Sequence, residues 1–137
     1  MIRRLGLLCA TLLVTTLALA AEPAVSLVSQ EALLARQQKA DPALFVLDVR
    51  TPQEFAAGHV PGAVNIPHDQ VAARLMDVPK DKDVVIYCHS GRRAALAAET
   101  LAAKGYTRLG HLDGDMQAWE AKGLPVERPA AAKASGQ

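Results

Sequence analysis

The sequence predicts a single α/β domain with a mostly parallel central sheet flanked by helices. Three observations predict it. Short apolar runs of strand length alternate along the chain with segments of helical spacing, and such alternation implies crossover units. Two of the runs, "ALFVLDV" and "DVVIYC", are almost continuously apolar, as strands covered on both faces are. The length of 137 residues, half of them hydrophobic, suits one domain around one core.

Taken in order, the chain starts with a segment unlike the rest. "MIRRLGLLCATLLVTTLALA" carries Arg3 and Arg4, then an apolar stretch, then Ala18-Leu19-Ala20. These are the three regions of a secretory signal peptide, so residues 1–20 are expected to be removed and the product to be periplasmic or secreted. The stretch is short for a membrane span and no basic flank follows it, so no stable membrane anchor is expected after cleavage. Loss of the two arginines turns the net charge from +1 to −1. Neither value favours nucleic acid as a partner, and an aromatic content of 4% leaves few platforms for base stacking.

The domain is expected over residues 21–127. "AVSLV" reads as a short first strand, and "SQEALLARQQKA" as a helix capped by Ser29 with Leu33 and Leu34 inward. "ALFVLDV" is the next strand. In "TPQEFAAGH" Thr51 is the cap, Pro52 fits the first turn, Glu54 completes a capping box, and Gly58 can close the helix in a left-handed conformation. "GAVNIP" is a short strand closed by Pro67. "HDQVAARLMDV" has helical spacing through Val71, Leu75 and Val78. "DVVIYC", rich in β-branched residues, is the most marked strand, with Cys88 as its last residue. "RRAALAAETLAAKG" is a helix with Gly105 beyond its end, "TRLGHLDG" contains another strand, and "DMQAWEAKGLP" is a final short helix. The tail, residues 128–137, is small and polar and is expected to be disordered.

Cys88 is where chemistry is expected. With Cys9 removed in the signal segment, Cys88 is left without a disulfide partner. Burial statistics alone would make it an inert core residue. Its neighbours argue otherwise. Ligands of open parallel sheets bind beyond the carboxyl ends of strands. The loop His89-Ser90-Gly91-Arg92 follows such an end and runs into a helix start, where free N–H groups and the helix dipole favour an anion. Gly91 permits the tight turn that lets those donors converge. A thiolate placed there is stabilised, and Arg92 and Arg93 add positive potential. Asp48 and Arg50, at the end of the neighbouring strand, are candidate supporting residues. Asp48 is expected to orient Arg93, to accept loop N–H groups, or simply to cap a turn. His89, as the immediate neighbour of Cys88, is a poor candidate for its base. The histidines and the one remaining cysteine lack the spacing of a metal site, so neither metal nor cofactor is expected.

These residues resemble the rhodanese (thiosulfate sulfurtransferase) superfamily, in its small single-domain exported form. "LDVRTPQEFAAGHVPGAVNIP" is similar to the N-terminal signature, with Phe55, His59, Pro61, Gly62 and Ala63 in place. "YCHSGRRA" fits the active-loop pattern CxxGxR through Cys88, Gly91 and Arg93. "LDGDMQAWEAKGLPV" resembles the closing segment through Gly114, Trp119, Gly123 and Pro125. One departure stands out: Asp115 occupies a position often held by glycine, and it is expected near the mouth of the site. The resemblance implies a rhodanese-like fold and a sulfurtransferase. Cys88 would take the outer sulfur of a small anionic donor, thiosulfate, as a persulfide held by the loop of His89, Ser90, Gly91, Arg92 and Arg93. A thiol or cyanide would then accept it. It also implies structural roles for His59 and Pro61, and Trp119 reads as a core residue.

Two other readings remain. Phosphatases of related fold have five residues between cysteine and arginine. Here four separate Cys88 from Arg93, leaving little room for a phosphoryl group. A persulfide carrier serving one partner would use the same Cys88, and the sequence does not separate it from a transferase.

Overall fold

The structure, a computed structural model, describes residues 25–129; the expected signal segment and the last eight residues lie outside them. Five strands form one sheet: β1 (Val25–Val28), β2 (Leu44–Asp48), β3 (Val64–Asn65), β4 (Asp83–Tyr87) and β5 (Leu109–Leu112). All pairings are parallel and the order is β1-β5-β4-β2-β3, so β4 is the central strand. The helices are α1 (Gln30–Gln38), α2 (Pro52–Ala57), α3 (Arg92–Ala103) and α4 (Asp115–Ala121).

The apolar runs of β2 and β4 are continuous because both faces of the sheet are covered. Successive residues of β4 serve opposite cores. Val84 and Ile86 pack with Ala94, Ala97, Ala98 and Leu101 of α3. Val85 and Tyr87 pack with Leu33 of α1 and with Met116 and Trp119 of α4. Trp119 is fully buried and its indole N–H donates to the Pro125 carbonyl at 2.7 Å. Each fully buried Val, Leu or Ile contributes roughly 1.5–3 kcal/mol.

Local signals place the helix starts. The Ser29 hydroxyl accepts from the Ala32 N–H at 3.1 Å. Both halves of the Thr51–Glu54 capping box are present. Two expectations are corrected. Gly58 ends α2 at φ 153°, ψ 136°, a positive-φ but extended conformation rather than a left-handed helical one. The segment with helical spacing at Val71, Leu75 and Val78 forms two 3-10 turns, Val71–Ala73 and Leu75–Asp77, and no α-helix. Tyr106 explains the second: its hydroxyl donates to the carbonyls of Leu75 (3.0 Å) and Val78 (2.8 Å), tying that segment to the core by a tertiary partner. Of the expected tail, residues 128–137, all but the first two residues lie outside the described ones. Glu127 exchanges two backbone hydrogen bonds with His59, each 2.9 Å, and Arg128 donates through Nε to the Ala57 carbonyl at 2.9 Å.

Candidate active site around Cys88

β4 ends at Tyr87, so Cys88 lies one step past the strand, at the carboxyl edge of the central strand, and α3 begins four residues later. The turn between them is possible because Gly91 adopts φ 108°, ψ −20°. A side chain there would also have no room, since a Cβ would lie 3.0 Å from Asp115 Oδ2 and 3.3 Å from His111 Cε1. The Gly91 N–H points at the Cys88 sulfur, with N and Sγ 3.0 Å apart. Among the described residues, the backbone N–H groups of His89, Ser90, Arg92 and Arg93 have no hydrogen-bond partner. The turn therefore leaves four backbone donors open beside the one that meets the sulfur, as an anion-binding turn does.

Cys88 is 1% exposed, whereas His89, Ser90 and Arg92 are exposed. Burial by itself fits an inert cysteine equally well. The N–H contact to the sulfur distinguishes this one, as does the nearby guanidinium of Arg93. Glu54 does most to raise the affinity of Arg93 for its proton, and the Cys88 sulfur adds to the effect.

The partner of Arg93 is not Asp48. Arg93 Nη1 and Nη2 donate to Glu54 Oε2 and Oε1 at 2.7 and 3.0 Å, a bidentate pair. Arg93 holds the Glu54 carboxyl down to about 2. Glu54, expected only to cap α2, thus also ties α2 to the first turn of α3. Sequence reasoning missed this pair because 39 positions separate the two residues.

Asp48 turns inward instead. It is fully buried, and Oδ1 accepts from the Arg50 backbone N–H at 2.9 Å and from Arg50 Nε at 3.0 Å. Oδ2 accepts from Arg50 Nη2 at 2.7 Å and from the Tyr87 hydroxyl at 2.6 Å. Arg50 Nη2 also donates to the Gly58 carbonyl, and the Tyr87 oxygen accepts the Val60 N–H at 3.0 Å. Burial opposes the Arg50 charge, but the Asp48 carboxylate outweighs it and raises the guanidinium. Burial, then the same carboxylate, pushes the Tyr87 phenol up. The group braces the residue before Cys88 against the 58–60 loop, with no contact to Arg93.

Asp115 is displaced from its expected place. Its side chain is 4% exposed and lies beneath the loop, not at a mouth. Oδ1 accepts the Cys88 N–H at 2.9 Å, and both oxygens lie 3.0 Å from His111 Nε2. The first turn of α4 continues the clamp: Met116 N–H donates to the Cys88 carbonyl at 3.0 Å and Gln117 N–H to the His89 carbonyl at 3.1 Å. The sequence marked Asp115 only as a departure and gave His111 no special role. His59 stacks on Phe55 with ring centroids 3.6 Å apart and supports the chain turn after α2.

Comparisons with known proteins bear on the family and the fold. Residues 29–122 match the model of the rhodanese-like domain. A protein of Allochromatium vinosum named "Sulfurtransferase" is 40% identical over 105 residues, covering 77% of this chain and 97% of that protein. The protein YqhL of Bacillus subtilis is 40% identical over 77 residues, covering 56% of this chain and 61% of its own length. Among solved structures, a rhodanese-related protein from Thermoplasma volcanium superposes with a TM-score of 0.66 at 28% identity, over 74% of this chain and 97% of that one.

Proposed function

The chain belongs to the rhodanese-like family, and from that premise we propose that it is a thiosulfate sulfurtransferase working through a Cys88 persulfide. Sulfur transfer is the chemistry of the family. The observation that carries the residue-level reading is the Cys88 sulfur facing the Gly91 N–H within a turn of open donors.

In the first half-reaction the Cys88 thiolate attacks the outer sulfur of thiosulfate. The new S–S bond forms as the S–S bond of thiosulfate breaks, and sulfite leaves with the bonding pair. Cys88 then bears a terminal sulfur with one negative charge, which the N–H groups of the loop would hold. In the second half-reaction cyanide or an acceptor thiolate attacks that terminal sulfur. Thiocyanate or a hydropersulfide departs and the thiolate returns. The covalent intermediate predicts ping-pong kinetics. Thiosulfate treatment should add about 32 Da, one sulfur, to the Cys88 peptide by this covalent logic. Cys88→Ser should abolish both the adduct and turnover; an adduct elsewhere would refute the assignment.

The donor preference follows from charge. Arg92 is exposed at the loop, and a guanidinium can meet two oxygens of a compact dianion. Thiosulfate should exceed 3-mercaptopyruvate in kcat/KM with cyanide as acceptor, and the margin should shrink as salt screens Arg92. A preference for mercaptopyruvate at low and moderate salt would overturn this. Export completes the reading, on the strength of the charged start, apolar run and Ala18-Leu19-Ala20. Protein recovered from its host should begin at Ala21; a mature chain retaining Arg3 and Arg4 would refute it.

A further inference from the structure

The carboxylate beneath the loop poses a physical problem. A buried negative charge hydrogen-bonded to the N–H of the nucleophile's own residue opposes a second negative charge on the sulfur. His111 is placed to cancel it. Asp115 has no proton to offer as a carboxylate, so His111 Nε2 is the donor in that contact, and protonation at Nδ1 makes the pair neutral. Both members lie directly under Gly91, within 3.3 Å of where its side chain would be, and Gly91 donates to the sulfur.

We propose that Asp115 and His111 are positioning residues for the nucleophile loop, and that the charge on His111 sets how readily an anionic donor approaches Cys88. Asp115 fixes the Cys88 peptide by taking its N–H, while the first turn of α4 takes the two carbonyls that follow. His111 keeps the carboxylate aligned and, when protonated, removes its field from the loop. The proposal rests on the sulfur-transfer reading only for the identity of the donor.

The imidazole can exchange protons with solvent. His111 is 26% exposed and borders an open groove of about 400 Å³ between β1 and α3. The groups around it are acidic: Asp115 on α4, Asp113 just before α4, and Glu99 of α3 on the groove wall. From β1 the groove wall receives only Val25, Ser26 and Leu27, without charge. The hydrogen bond to Asp115 raises the His111 value most, burial works against it, and Asp113 adds to the rise. The positive charge is therefore present below the folded value and is lost as pH rises through it.

The test uses two alkylating probes on the full chain, followed at the Cys88 peptide by mass spectrometry. Iodoacetate is anionic and iodoacetamide neutral. Both require the thiolate, so the ratio of their rates cancels thiolate fraction and reports local charge. Across pH 5.5 to 9.5 the wild-type ratio should fall by a factor on the order of ten as His111 loses its proton. The midpoint should coincide with the His111 titration read by NMR. His111→Gln should give a low ratio without that step. Asp115→Asn should move the step to lower pH by roughly one unit. Asp115→Gly removes the same charge at φ 55°, a conformation glycine accepts, and so serves if the asparagine variant does not fold. A flat wild-type ratio, or a midpoint unmoved in both Asp115 variants, would overturn the proposal. Thiosulfate loading of Cys88 should follow the same pH step. A step in the alkylation ratio without any thiosulfate loading would sink the donor assignment and leave the pair's role standing.

Discussion

Arg92 and Arg93 share the first turn of α3, yet Arg92 faces solvent whereas Arg93 holds Glu54 with two hydrogen bonds. Their substitutions should separate accordingly. Arg93→Ala frees the helix start from α2 and strips positive charge from beside the sulfur; sulfur loading should fall about tenfold, as loss of a charge-assisted bidentate contact predicts. Arg92→Ala should instead raise KM for thiosulfate and flatten the salt dependence, with less effect on the chemical step. The reverse ranking in single-turnover loading would assign the roles the other way. The Glu54 carboxylate has its folded value depressed from 4.5 to about 2, so its contribution is present at neutral pH and is lost as pH falls through that window. The wild type should accordingly lose stability on acidification over this range, and Glu54→Gln should lose less. Asp48→Ala is a different case. It leaves the buried Arg50 guanidinium without its carboxylate and should cost about 3–5 kcal/mol in denaturant unfolding.

At the scale of elements, α2 shows what local sequence can reveal. Thr51, Pro52 and Glu54 act within one turn, so the start of the helix was legible from four residues. Thr51→Ala should cost about 1 kcal/mol as lost capping. It should also slow sulfur loading, because Glu54 leans on both Thr51 and Arg93. A variant with lowered stability and unchanged loading would show that the two duties of Glu54 are independent. The segment from Val71 to Val78 shows the limit. Its apolar spacing satisfies a helix, but Tyr106, distant in sequence, bonds two of its carbonyls, and the residues settle into 3-10 turns. Likewise the Cys88 loop could be recognised from its own residues, while the groups that brace it could not. Glu54, and the local pair of Asp115 and His111, come beside that loop only after β2, β4 and β5 pair.

For the whole molecule, the parallel sheet was legible because covering both faces leaves a visible mark: β4 alternates between two cores and so carries no polar stripe. Strand order was not legible, since any arrangement of parallel strands leaves the same mark. The order observed puts β4 at the centre and brings the carboxyl ends of β2 and β5 to either side of Cys88. That places the brace of Asp48 and Arg50 on one flank and the pair of His111 and Asp115 on the other. The amino-terminal ends of the strands have separate duties. There Arg36 bonds Asp41 at 2.7 Å and Asp83 at 2.8 Å, and Arg108 reaches Asp83 at 2.7 Å.

The burial of Cys88 gives the proposed intermediate a history. Among the described residues it is the one cysteine, so no neighbouring thiol can discharge a sulfur once loaded. Cys88 itself is 1% exposed. Under the proposed cycle, a loaded molecule would wait for an outside acceptor. In that cycle, the fraction of molecules carrying sulfur at any moment would record the balance between donor supply and acceptor demand.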